Sequence, residues 1–454
     1  MAVATEQLVE RIWERDPSVW TGADEAQWLG WLDEPQRMRE RVRELERFVE
    51  GVAAPGVIDT FVLLGMGGSS LAPIVLAQSF GAQSLHVLDT THPRAIRRLL
   101  AALDLERTLF VASSKSGTTL ETRSHLDFFW EQAGRRGEQF AVITDPGSSL
   151  EQLATERGFR HVFHGEPTIG GRYSALSPFG LVPAALIGVD LERFLERTLE
   201  MAEACRLSEG NPGLALGVDL GEGWREGRDK ICIDATEGGF GLWAEQLIAE
   251  STGKDDKGLV PAPGESPEGR DRQRGEVRLE DPYELGQEFF RWEFAVAVAG
   301  SYLEINPFDQ PNVQAAKDKT KEVLDSGDVE LDPESSPDEL FAQAKDGDYV
   351  AIQAFVDPER EDELRPLIDR ARQETRCVVT HGLGPRYLHS TGQLHKGGPN
   401  TGLFLQVVDD PGEELAIPDQ PFGFAQLIRA QAAGDLQSLK DRGRRVARVR
   451  LEDI

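Results

Sequence analysis

The feature of this chain that most limits its fold is an alternation, from residue 61 onward, of short β-branched runs with segments of helical length. FVLLG (61–65), SLHVLDT (84–90), LFVASS (109–114), FAVITD (140–145) and RHVFHG (160–165) are each of strand length, and Gly, Ser, Asp or Pro bounds them. Strands alternating with helices in this way predict a parallel sheet with crossover helices. A second series follows: KICIDAT (230–236), GLVPA (258–262), YVAIQAFVD (349–357), CVVTHG (377–382) and TGLFLQVVD (401–409), interleaved with apolar helices such as FFRWEFAVAVAGSYLEI (289–305). At 454 residues the chain is long for one core, so the expected class is α/β with two lobes, each a mainly parallel sheet flanked by helices. A helical arm is expected over 1–55, the lobes over 56–215 and 216–420, and a helical extension over 421–454. APGESPEGRDRQRGEVRLEDP (262–282) and LDSGDVELDPESSPDEL (324–340) are polar and rich in Pro and Gly, and read as exposed loops.

Charge sets limits on partners. With 49 basic and 78 acidic residues the chain carries −29, which repels nucleic acid and anionic membranes, so an anionic substrate needs a local exception. No apolar run approaches the 18 or so residues that would span a bilayer, and the acidic N-terminus lacks the basic and apolar regions of a secretory signal. The reading is therefore a cytoplasmic protein. Cys205, Cys232 and Cys377 show no CxxC spacing, which points to reduced thiols and neither a disulfide framework nor a thiolate metal site.

Two segments join a strand to a helix with unusual donor chemistry. FVLLGMGGSSLAP places Gly65, Gly67, Gly68, Ser69 and Ser70 where main-chain N–H groups at a helix start favour an anion. A dinucleotide fingerprint competes, with Asp89 as the ribose acid, but its third glycine position is Ser70; a tight turn without a ligand also stays open. LFVASSKSGTTLET places Ser113, Ser114, Lys115, Ser116, Thr118 and Thr119 around Gly117. A helix cap needs one such side chain, and the surplus favours a phosphate pocket.

From these segments onward the chain resembles the glucose-6-phosphate isomerases, a family built on sugar isomerase domains. GMGGSSLAP and SSKSGTTLET resemble the family's two phosphate-handling signatures, and TIGGRYSALSPFGL resembles its GGR-Tyr-Ser segment. LIAESTGKDDKG resembles the bacterial segment bearing the catalytic glutamate, and INPFDQPNVQAAK the segment ending in a catalytic lysine. The termini also resemble the isomerase half of transaldolase–isomerase fusions. The resemblance implies a metal-free, cofactor-free aldose–ketose isomerase acting on a sugar phosphate, and a homodimer. It implies Glu250, His389, Lys317 and Arg172 as catalytic residues, and Gly68, Ser69, Ser114, Lys115, Ser116, Thr119, Gly171 and Gln310 as substrate-binding residues. The rival readings are a non-catalytic sugar-phosphate sensor and, more distantly, an NAD-dependent enzyme.

The residues can be weighed against that implication. Glu250 ends the apolar helical segment WAEQLIAE, a setting suited to a base working on a carbon acid, although a lone Glu is usually a surface acid. Arg172 sits in a Gly-Gly-Arg turn whose small neighbours let a guanidinium approach ligand oxygens; a structural ion pair is its plain alternative. Gln310 and Lys317, seven apart, share a helix face if the segment after Pro311 is helical, while Lys319 and Lys321 make a solvated charge run the alternative. The chain departs from the bacterial pattern in one place. The Leu-His-Ser-x-Gly-Gln string that follows the glutamate in that pattern is replaced here by PAPGESPEGRDRQRG, which has no histidine. A similar string, YLHSTGQLHKGGP, occurs after Lys317 and offers His389, with His395 as the alternative. For His381 and His389 a satisfied loop histidine is the default.

Overall fold

The structure is a computed structural model that describes residues 5–52, 58–234, 239–311, 313–327 and 329–454, with backbone alone for 5, 6 and 313–318. The first series of strands forms one parallel sheet in the order β2-β1-β3-β4-β5. These are β1 (Thr60–Gly65), β2 (Leu85–Leu88), β3 (Thr108–Ser113), β4 (Phe140–Thr144) and β5 (His161–His164). Alternate residues of β1 enter different cores, Phe61 and Leu63 one, Val62 and Leu64 the other. Helices cover both faces, which is why this strand is apolar throughout instead of alternating. The winding reverses between β1 and β3, paired with Leu64 opposite Ala112 and Gly65 opposite Ser113, and a crevice opens beyond the carboxyl ends of the strands at such a point.

The second series divides between two sheets. β6 (Lys230–Ile233), β7 (Val260–Pro261) and β8 (Arg272–Gly275) pair in the order β7-β6-β8. β8 lies inside a segment expected to be an exposed loop; its pairing with β6 uses main-chain bonds, which polar side chains on an edge strand do not prevent. β9 (Tyr349–Phe355), β10 (Val378–Leu383), β11 (Gly402–Val408) and β12 (Arg445–Arg450) form a parallel sheet in the order β10-β9-β11-β12. That order repeats the winding of β1 to β4. One face of this sheet, through Tyr349, Ala351 and Phe404, packs on Cys232, Val260 and Ala262 of the three-stranded sheet. The C-terminal helix Phe424–Asp441 precedes the edge strand β12.

The N-terminal arm includes the helix Glu34–Val52 and lies on the 19-residue helix Leu285–Leu303, which is apolar on nearly all sides and therefore buried. Trp20 Nε1 donates to the Ala297 carbonyl at 2.7 Å, and Trp31 stacks on Tyr173 with centroids 5.3 Å apart. All three cysteines are free and buried. Among the described residues no helix is long and apolar enough to cross a membrane.

Candidate active site

The turn Gly67–Ser69 after β1 is where the distant motifs meet. A Cβ on Gly68 would stand 2.0 Å from the Gly171 oxygen, and one on Gly67, whose φ is +53°, would stand 2.6 Å from the His389 oxygen. Only glycine lets backbones approach so closely, and only glycine takes that φ without strain. The turn therefore packs on Gly171–Tyr173, on Arg386–His389 and on the helix Phe240–Thr252. The string carrying His389, displaced in chain order beyond Lys317, thus returns to the side of Glu250.

Glu250 lies in the last turns of the helix Phe240–Thr252, nearly buried at 8% exposure. Gln246, one turn earlier on the same face, donates through Nε2 both to Glu250 Oε2 and to the His389 carbonyl, each at 2.9 Å. Arg172 Nη1 faces the other carboxylate oxygen at 3.4 Å. The Arg172 side chain has no exposed surface. Its Nε donates to Ser251 Oγ at 2.8 Å, its Nη2 to the Pro307 and Asp309 carbonyls at 2.7 and 2.9 Å, and its Nη1 to Gln310 Oε1 at 2.6 Å. Of the five N–H groups of a guanidinium these bonds occupy four, so one Nη1 proton is left toward Glu250. The ion pair that was the plain alternative for Arg172 is present, and its partner is Glu250.

The segment Ser114–Thr119 leads from β3 into the helix Leu120–Gln132. Ser114 Oγ and Thr119 Oγ1 lie 3.0 Å apart, Ser116 Oγ and Thr118 Oγ1 2.9 Å apart, and Gly117 N donates to Ser114 Oγ. Each hydroxyl can rotate its proton toward an oxyanion at the helix start. Lys115 is differently engaged. Its Nζ bonds Asp145 Oδ2 at 2.5 Å and the Glu166 carbonyl at 3.0 Å, which ties the loop to the segments after β4 and β5. Ser69 is buried in the adjoining turn.

His389 Nε2 meets Glu121 Oε1 at 3.0 Å, which links the histidine to the first turn after the hydroxyl loop. His395, the alternative, lies elsewhere. It is enclosed, its Nδ1 faces Gln353 Nε2 at 3.0 Å, and burial holds it well below the ordinary histidine range. His395 borders a separate cleft of about 330 Å³ shared with Glu245 and His381, in which Glu250, Arg172 and His389 have no part. Gln310 precedes the helix Val313–Ser326, so it reaches Arg172 from a turn and not from a helix face. Lys317 lies within that helix, and its side chain lies outside the described residues.

Three participants escaped the sequence reading. Gln246 carried a signal, since it stands four residues before Glu250. Glu121 lay inside the quoted hydroxyl segment. Lys254, 2% exposed, donates to the Asn306 and Asp309 carbonyls at 2.7 and 2.5 Å and to Asp309 Oδ1 at 2.6 Å. It closes the turn that presents Gln310.

Comparison with known proteins places these observations. Residues 31–210 match the family model of phosphoglucose isomerase. A glucose-6-phosphate isomerase of Thermus thermophilus is 42% identical over 175 residues, 37% of this chain and 41% of that protein. That of Thermosynechococcus vestitus is 30% identical over 287 residues, 56% of this chain and 54% of that protein. The chain thus spans about half the length of the curated relatives it matches. Among solved structures, a glucose-6-phosphate isomerase from Chlamydia trachomatis aligns with a TM-score of 0.53 at 20% identity, covering 70% of this chain and 78% of that one. A hypothetical protein from Thermus thermophilus aligns with a TM-score of 0.51 at 23% identity, covering 98% of this chain and 83% of that one. These two likenesses concern the fold. The resemblance first read from the motifs is borne out: over residues 31–210 the chain matches the phosphoglucose isomerase family, and its α/β architecture is shared with solved members of that fold.

Proposed function

We propose that the protein interconverts D-glucose 6-phosphate and D-fructose 6-phosphate by opening the sugar ring and moving a proton between C2 and C1 through a cis-enediol. The observation that supports this most is the setting of Glu250. Gln246 holds one carboxylate oxygen and Arg172 faces the other, with the same Gln246 amide reaching the main chain of His389. A base for a weakly acidic C–H must be held beside the carbon, and a fixed positive charge must stand where the enediolate forms.

In this reading Ser69, Ser114, Ser116 and Thr119 hold the phosphate, with Gly68 leaving room for the main chain of Gly171. Lys115 braces the loop through Asp145. His389 with Lys317 opens the ring, Glu250 carries the proton, and Arg172 with Gln310 steadies the intermediate from a site kept out of water. The chemistry is acid–base throughout and calls for no redox step. We read the working protein as a cytoplasmic homodimer, consistent with an acidic surface that avoids nucleic acid and membranes.

The test is formation of glucose 6-phosphate from fructose 6-phosphate by the purified chain, with and without EDTA. Turnover in both supports an enediol route without a dissociable metal. Tight sugar-phosphate binding without turnover would make the protein a binding module instead.

A further inference from the structure

We propose that Gln431 and Thr91 are positioning residues for ring opening: they hold Glu121, and Glu121 sets which nitrogen of His389 carries its proton. This rests on the reading of His389 given above. Four side chains from distant parts of the chain form one line. His389 Nε2 lies 3.0 Å from Glu121 Oε1, Gln431 Nε2 donates to that same oxygen at 2.7 Å, and Thr91 Oγ1 donates to Gln431 Oε1 at 2.6 Å. Thr91 follows β2, Glu121 opens the helix after the hydroxyl loop, and Gln431 belongs to the C-terminal helix Phe424–Asp441.

The directions of these bonds follow from the groups themselves. A carboxylate only accepts, so the histidine nitrogen facing Glu121 bears the hydrogen and Nδ1 is the nitrogen with the free lone pair. Gln431 must also present N–H to Glu121, because its amide oxygen there would set two acceptors 2.7 Å apart. With the amide turned that way, the Thr91 hydroxyl donates to its oxygen and anchors the far end. Glu121 is 6% exposed, Gln431 2% and Thr91 0%, so water cannot readily replace a lost partner. Without Gln431 the carboxylate loses a donor to the oxygen that meets His389, and the hold on the His389 tautomer weakens.

Ring opening is read separately from proton transfer by the enzyme-catalysed exchange between the α and β anomers of glucose 6-phosphate, followed by magnetisation transfer. Gln431→Leu should slow anomer exchange about tenfold, the effect of losing one hydrogen bond to a charged group. Thr91→Val, which leaves the C-terminal helix untouched, should slow it in the same direction. Affinity for the sugar phosphate should stay near that of the unaltered protein in both. Unchanged exchange in Gln431→Leu and Thr91→Val, with exchange lost in His389→Ala, would overturn this inference alone. Undiminished exchange in His389→Ala would overturn the reading of His389 and the inference with it.

Discussion

Lys254 and Arg172, two buried cations, share one acceptor: the Asp309 carbonyl takes N–H bonds from Lys254 Nζ at 2.5 Å and from Arg172 Nη2 at 2.9 Å. Burial, and after it the charge of Arg172, lowers Lys254 from 10.5 to about 8. The turn of carbonyls over 306–309 compensates both charges and, in doing so, sets the position of Gln310.

Replacing Lys254 by Met removes the repulsion but takes the donor from the Asn306 carbonyl and Asp309 Oδ1, while the Asp309 carbonyl keeps Arg172. The second effect is the larger, and we expect a loss of about 2 kcal/mol at neutral pH, measured by urea denaturation. The folded protein holds fewer protons at Lys254 than the unfolded chain between about pH 8 and 10.5, so this group adds stability as pH rises through that window. Lys254→Met should lack that rise. A variant as stable as the parent would show that the turn is held by other contacts.

The hydroxyl loop predicts a contrast between neighbours. Ser114→Ala combined with Thr119→Ala should raise KM about tenfold or more with little change in kcat, because a phosphate is held equally in ground and transition states. Lys115→Met should instead cost about 1 kcal/mol of stability, its ammonium being committed to a partly exposed pair with Asp145. Steady-state kinetics and thermal melting separate the two. A KM effect confined to Lys115→Met would move the phosphate away from the hydroxyls.

Glu34, 3% exposed, is pushed up from 4.5 to about 7 by burial, against the opposing pull of Arg37. Glu293 is raised well above the ordinary carboxylate range by full burial, and neither of its carboxyl oxygens has a hydrogen-bond partner among the described residues. A carboxyl raised in the folded state binds more protons there than in the unfolded chain. Its contribution is complete below about pH 4.5 and is lost as pH rises to about 7 for Glu34. The melting temperature should therefore fall across this interval, and Glu34→Gln should flatten the fall. An unchanged pH profile in the variant would contradict this assignment.

Much of the architecture could be read in advance because it follows from local chemistry. FVLLG and LFVASS are apolar on both faces, and strands of that kind are parallel and covered by helices. Of the strands after residue 229, β6, β7, β9, β10 and β11 were legible one by one, whereas β8 lay in an expected loop and β12 in an expected helical extension. The division of these strands into two sheets was not legible, since it depends on which main-chain edges meet over more than a hundred residues. RQRG, the strand β8, carries no apolar pattern at all and is held by main-chain pairing with β6 and by side-chain bonds of Gln273 and Arg274 to Arg228 and Asp234.

The site shows the same boundary. Glu250, Arg172 and Ser114 stand in local motifs whose chemistry is visible in a few residues. That the string with His389 returns to Glu250 depends on two glycines, Gly67 and Gly68, whose missing Cβ atoms let three backbones converge. Lys115 stands in the hydroxyl loop, where an ammonium suits a phosphate; its pairing with Asp145, thirty residues on, has no trace in that loop. The contact between Gln431 and Glu121 spans 310 positions and has no local trace.

The central claim is that Glu250 moves the proton, and exchange of the substrate C2 proton with deuterated water tests it most directly. Glu250→Gln keeps an acceptor for Gln246 and nearly the same volume but cannot take a proton from carbon. Exchange and turnover should fall by about two to four orders of magnitude, the usual range for losing a general base, while sugar-phosphate affinity persists. Exchange in Glu250→Gln close to that of the unaltered protein, in a folded variant that binds the sugar phosphate, would contradict the account.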